Sequence, residues 1–245
     1  FSVWKLIMLK HAIYQTGTIN SLLEAVYDGD TTLEYLASKG DLGLGALDAI
    51  NGELIICDGE FFRADANCRL NKLLKEDKTP FAIISHFQPS LSFELKADSF
   101  GDLERQLLAQ LPSLNLIYTF KIKGVFSQID LRSEECTCRP YQRLIEILPD
   151  LQRTCTFENL EGYLVGVYFP NYLAQVNVPG FHFHFVDVKQ EIGGHVFGLN
   201  LSAGVVEVQI IHELDLSLIA SAEVYQANLA GNITDEVTQV EKLRS

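Results

Sequence analysis

Residues Gly180-Phe-His-Phe-His-Phe-Val-Asp-Val188 run on into Lys189-Gln-Glu-Ile-Gly-Gly-His195-Val-Phe-Gly-Leu-Asn-Leu201, and the fold is read outward from this stretch. In an extended strand, side chains two apart share a face. Phe181, Phe183 and Phe185 therefore point one way, into a core, while His182 and His184 point the other. Gly193-Gly194 tolerates positive φ, and apolar alternation resumes at once through His195, Phe197, Leu199 and Leu201, so Lys189 to Gly194 reads as a hairpin turn. The return strand brings His195 level with the first two histidines. Three imidazoles from paired strands make a three-nitrogen metal site with a position left open, the pattern of catalytic zinc. Neutral ligands leave the ion nearly all of its positive charge for polarising oxygen atoms.

The surrounding composition is that of a globular chain. Hydrophobic residues make up 47% and charged residues 21% of its 245 residues. A net charge of −13 and a pI near 4.8, with no basic cluster, argue against nucleic-acid binding. The five cysteines, Cys57, Cys68, Cys136, Cys138 and Cys155, are odd in number and form no Cys-x-x-Cys pair, so free thiols in a reducing compartment are expected. The apolar opening, Phe1 to Lys10, is too short to cross a bilayer and reads as a terminal strand or the remnant of a leader. The expectation is a cytoplasmic protein without membrane contact, with export through a short leader as the alternative.

Before the histidine strands the pattern alternates between short helices and strands. Thr18 opens a helix with Ser21 and Glu24 at capping-box spacing, and a second helix follows Thr32 and ends at Gly40. Asn51-Gly52 and Asp58-Gly59 then punctuate a β-meander, and Ser99 caps an amphipathic helix that stops before Pro112. Residues 115–124 and 125–132 read as a hairpin about Lys123-Gly124, followed by a helix-like stretch from Gln142. Residues 162–170 are a nearly continuous apolar strand. The expected class is α+β (mixed α/β). A mixed-sheet domain with flanking helices spans 1–150, and a mostly antiparallel, barrel-like domain at 151–245 carries the metal. His86 and His212 read as structural, and the tail from Gly231 reads as a short exposed helix or coil. Glu53, just after a turn, reads on spacing alone as a solvated carboxylate.

Several segments together resemble one family. Tyr27-Asp-Gly-Asp-Thr-Thr-Leu, Gly40-Asp-Leu-Gly-Leu-Gly, Asn51-Gly-Glu-Leu-Ile, Gly59-Glu-Phe-Phe and Gly180 through His195 are similar, in order, to the α-acetolactate decarboxylases. The resemblance runs from about Ile13 into the tail. It implies decarboxylation of (S)-2-acetolactate to (R)-acetoin and carbon dioxide by a homodimer whose tail returns to the active site. Zinc, held by His182, His184 and His195, would stabilise an enediolate. The family's other site residues fall on Glu53, on Arg132 across a one-residue gap, and on Glu241, for which Glu236 competes. Arg132 would orient the departing carboxylate, and Glu53 and Glu241 would move the proton. Ala46 stands where the family often has threonine.

Two other readings remain open at this stage. A cupin-type metalloenzyme would place a glutamate ligand four or five residues after the second histidine, where this chain has Val188 and Lys189. A non-catalytic module would use zinc only to stabilise its fold.

Overall fold

The computed structural model describes residues 11–231 together with Glu236 and Val240. The first half runs β1 (Ala12–Thr16), α1 (Ile19–Leu23), β2 (Thr31–Thr32), α2 (Leu33–Ala37), β3 (Leu42–Ala46), β4 (Glu53–Cys57), β5 (Glu60–Ala64), β6 (Leu70–Lys72), β7 (Lys78–Thr79) and β8 (Phe81–Ser85). It is followed by β9 (Leu91–Ala97), α3 (Phe100–Gln110), β10 (Ile117–Glu134), α4 (Leu144–Leu151), β11 (Gln152–Phe169), β12 (Gly180–Asp187), β13 (Gly193–Ile211), β14 (Glu213–Ser217) and α5 (Ala222–Gln226). The class is α+β, as the alternating periods imply.

Short-range chemistry sets the ends of these elements. Thr18 caps α1 by accepting from the Ser21 amide at 3.1 Å, while Ser21 Oγ accepts from the Thr18 amide at 3.0 Å. The box thus lies one turn earlier than the expected Ser21/Glu24 pair. Glu24 is the C-cap, and positive φ at Ala25 ends the helix. Asp58 and Gly59, at φ of 53° and 78°, form the two-residue turn that pairs β4 with β5.

A seven-stranded sheet has the order β14-β1-β8-β3-β4-β5-β6, parallel at β1–β14 and otherwise antiparallel. In the second sheet β10 pairs with β11, β11 with β12, and β12 with β13, while β13 returns to β10. Those four strands close into a ring, with β9 added outside β13. Its interior holds Phe120, Phe126, Phe181, Phe183 and Phe185, plugged by Phe100, Leu103 and Leu107 of α3. The phenylalanine stripe of β12 does face a core.

Two expectations need correction. The strands do not divide at residue 150: β9 and β10 precede it yet belong to the ring, and β14 follows it yet joins the seven-stranded sheet. There is also no hairpin at Lys123-Gly124, because β10 is one strand of 18 residues. Gly124 pairs with Gly162 on one side and Gly204 on the other, and a Cβ there would lie 2.5 Å from Leu201 Cδ1. Its glycine serves close strand packing, not a turn.

The two sheets pack face to face. Ile55, Phe62 and Ala64 of the first share a cluster with Val165 and Val186 of the second. Val186 lies on the same face of β12 as His182 and His184, so the histidines point at β4.

Candidate metal centre

The three histidines converge. His182 Nε2 lies 3.2 Å from His184 Nε2 and 3.1 Å from His195 Nδ1, and all three rings are buried. Backbone pairing sets this up, since His184 and His195 are register partners across β12 and β13, and His182 is one alternate position away. Tetrahedral ligands at zinc–nitrogen bonds of roughly 2.0–2.1 Å stand about 3.3–3.4 Å apart, so the spacing fits one small divalent ion. His182, His184 and His195 are the group of side chains among the described residues arranged to hold a metal.

Burial sets the protonation of His182 and His184. Burial, then the Arg132 charge, lowers the His182 pKa to about 3. His184 is held well below the usual range, first by burial and then by His182, with the Leu54 carbonyl opposing and Arg132 adding the smallest effect. Both rings are neutral near pH 7 and present a lone pair. His184 Nδ1–H donates to the Leu54 carbonyl at 2.9 Å, which fixes the tautomer and leaves Nε2 bare toward the cluster. Arg132 Nη2 lies 3.1 Å from His195 Nε2, and a guanidinium can only donate, so in this arrangement Nε2 accepts and Nδ1 carries the proton toward His182.

β4 contributes more than the Leu54 carbonyl. The Glu53 carboxylate stands 3.4 Å from His184 Nε2 and 3.9 Å from His195 Nδ1, largely shielded from solvent. It is not the solvated carboxylate its position after a turn suggests, because the facing sheet covers it. Arg132 reaches the same place from β10, as the register partner of His195.

Glu53, Arg132, Glu134, His182 and His195 line a cavity together with the apolar side chains of Leu22, Ala46, Ile50, Phe81, Leu144, Leu148 and Val240. Glu236 is instead ion-paired with Arg143 at 2.6 Å and does not line this cavity. Glu241 lies outside the described residues, although its neighbour Val240 is buried among those apolar side chains. Glu134 and the Leu54 carbonyl were not singled out from sequence. Glu134 had a signal, being two residues beyond Arg132 on one strand and so on the same face; the carbonyl had none.

The sequence profile of the alpha-acetolactate decarboxylase family matches residues 13–231. An alpha-acetolactate decarboxylase from Brevibacillus brevis is 34% identical over 236 residues, covering 96% of this chain and 82% of that one. One from Methanosarcina mazei is 36% identical over 231 residues, covering 94% and 80%. The crystal structure of the Bacillus subtilis strain 168 alpha-acetolactate decarboxylase superposes with a TM-score of 0.91 at 33% identity, covering 94% of this chain and 99% of that chain.

Proposed function

Because the chain belongs to the alpha-acetolactate decarboxylase family, we propose that it converts (S)-2-acetolactate to (R)-acetoin and carbon dioxide with a zinc ion held by His182, His184 and His195. The observation that carries this reading is a cavity lined by His182 and His195 of the histidine cluster, by Glu53 and Arg132, and by apolar side chains. Acetolactate matches that mixture, with a carboxylate, a hydroxyl and a ketone beside two methyl groups.

Bound zinc supplies a Lewis acid that takes up the negative charge left when the carboxylate departs. The protein's own groups do the rest. Arg132 binds the carboxylate through paired N–H donors and sets the breaking bond at a fixed angle to the ketone. His195 would present Nδ1 to the ion, while Arg132 Nη2 stands 3.1 Å from the other nitrogen of the same ring.

When carbon dioxide leaves, its electron pair remains on the substrate and a proton must take its place. Glu53 delivers or relays that proton from one side of the cavity, which fixes the handedness of the product. Glu241 is the proposed second carboxylate of this exchange. The apolar side chains receive the methyl groups and keep water from competing as the proton source. This reading also carries a homodimer working in the cytoplasm, which sedimentation and cell fractionation would test. Among the described residues no helix is long and apolar enough to cross a membrane.

The deciding experiment is acetoin release from racemic acetolactate before and after treatment with a strong chelator. The expected result is complete loss of activity on metal removal and recovery with stoichiometric zinc. Undiminished turnover by demonstrably metal-free protein would overturn the reading, and recovery with iron alone would favour a different metalloenzyme.

A further inference from the structure

The loop between β5 and β6 brings a buried cysteine against a strand of the ring on the side away from the metal. Leu131 and Ser133 share one face of β10, opposite to Arg132, and Ser133 Oγ donates to the Ala64 carbonyl at 2.7 Å, anchoring the start of that loop. Four residues further on, the Cys68 carbonyl accepts from the Gly193 amide at 3.1 Å. A Cβ on the next residue, Gly194, would lie 3.3 Å from the Leu131 Cβ. Cys155 of β11 is the register partner of Leu131 and points to the same face. Cys68 lies in the same apolar cluster as Leu131, and Cys155 packs against that cluster.

From this convergence we propose that Cys68 and Cys155 are a disulfide-forming site, closed by a thiol-exchanging oxidant such as glutathione disulfide. Cys155 is partly exposed, whereas Cys68 is fully buried. The Cys155 thiolate attacks one sulfur of the oxidant and expels a glutathione thiolate. Cys68 then loses its proton and displaces the second glutathione from Cys155. Two protein thiols are oxidised by two electrons, and the oxidant is reduced to two thiols. Burial, then the neighbouring Cys155 thiol, pushes the Cys68 thiol well up, so the second step is the slow one.

The bond would tie the seven-stranded sheet to the ring next to Gly193, two residues before His195, and leave the cavity wall untouched. Closing so long a loop restricts the unfolded chain most, and a rise in Tm of about 5–10 °C is expected.

The test uses the full zinc-loaded chain with Cys136 and Cys138 both replaced by Ser, so that the exposed cysteines cannot compete. After exposure to glutathione disulfide, acid quench and alkylation under denaturing conditions, peptide mapping should find Cys68 joined to Cys155, with Cys57 alkylated. The Tm gain should disappear on reduction, and an added Cys155→Ser substitution should abolish both cross-link and gain. Recovery of Cys68 as an alkylated thiol, whether Cys155 carries glutathione or is unmodified, overturns the proposal. So does a cross-link between any other pair.

Discussion

His184 donates its Nδ1–H to the carbonyl of Leu54, 2.9 Å away on the facing sheet and 130 positions earlier in the chain. That bond joins the strand of His182 and His184 to the strand that carries Glu53, so orienting the imidazole and placing the carboxylate beside it are one structural event.

The depressed histidine pKa values predict an acid-sensitive metal-free protein. His182 titrates near 6.5 when unfolded and at about 3 in the fold, and His184 is shifted in the same direction. The unfolded chain therefore binds more protons between these limits, and stability present above pH 6.5 is lost as pH falls toward 3. Each pKa unit corresponds to about 1.4 kcal/mol per histidine, so the loss over the window should reach several kcal/mol. Urea titrations of metal-free protein from pH 7.5 to 4 would measure it. A midpoint that does not move across that range would contradict the buried, neutral assignment.

Glu53→Gln keeps the size of the side chain and removes its charge and proton-carrying capacity. The variant is expected to fold with a Tm within about 2 °C of the parent, to bind zinc, and to lose about 10²- to 10⁴-fold in kcat, the usual range for a general acid or base. Unchanged kcat with zinc bound would remove Glu53 from the mechanism.

How much of this could be read beforehand depends on how local the information is. His182, His184 and His195 were legible because period-two alternation and one glycine turn place them within sixteen residues of sequence, from Gly180 to His195. Glu53 and Arg132 were not legible from spacing. Each reaches the site through a packing or pairing partner far along the chain, and only family resemblance pointed to them. Gly124 misled because glycine marks both turns and close strand contacts, and the Leu201 side chain that decides between them lies 77 residues away. The domain boundary failed for a related reason, since local alternation does not say which sheet a strand joins.

Gly166→Ala tests whether the phenylalanine stripe supports the metal site. A Cβ at Gly166 would lie 2.1 Å from the Phe183 ring and 2.7 Å from the His182 carbonyl, and neither is at the end of a flexible chain. Strand β12 must shift, at an expected cost of about 1–3 kcal/mol or more. Zinc affinity should fall as well, because His182 moves with its backbone. Calorimetric zinc titration alongside urea unfolding would separate the two effects, and wild-type affinity in a destabilised variant would show that the stripe supports only the fold.

Arg132 supplies the sharpest separation between structure and chemistry. Its guanidinium is buried beside His195 on the cavity wall, the place at which the proposed mechanism holds the substrate carboxylate. Lysine keeps the charge but loses the paired donors, so Arg132→Lys is expected to lower kcat/KM by about 10²-fold, equivalent to about 2.7 kcal/mol at the transition state. Arg132→Met removes the charge altogether and should lose at least as much. Removing that positive charge also relieves part of the pressure that keeps His182 and His184 neutral, so their folded pKa values should rise toward 6.5 in the metal-free protein. Stability of the Met variant should then fall less steeply between pH 6.5 and 3 than that of the parent. An Arg132→Lys variant with parental kcat/KM would mean that the guanidinium does not hold the substrate, whatever its effect on the histidines.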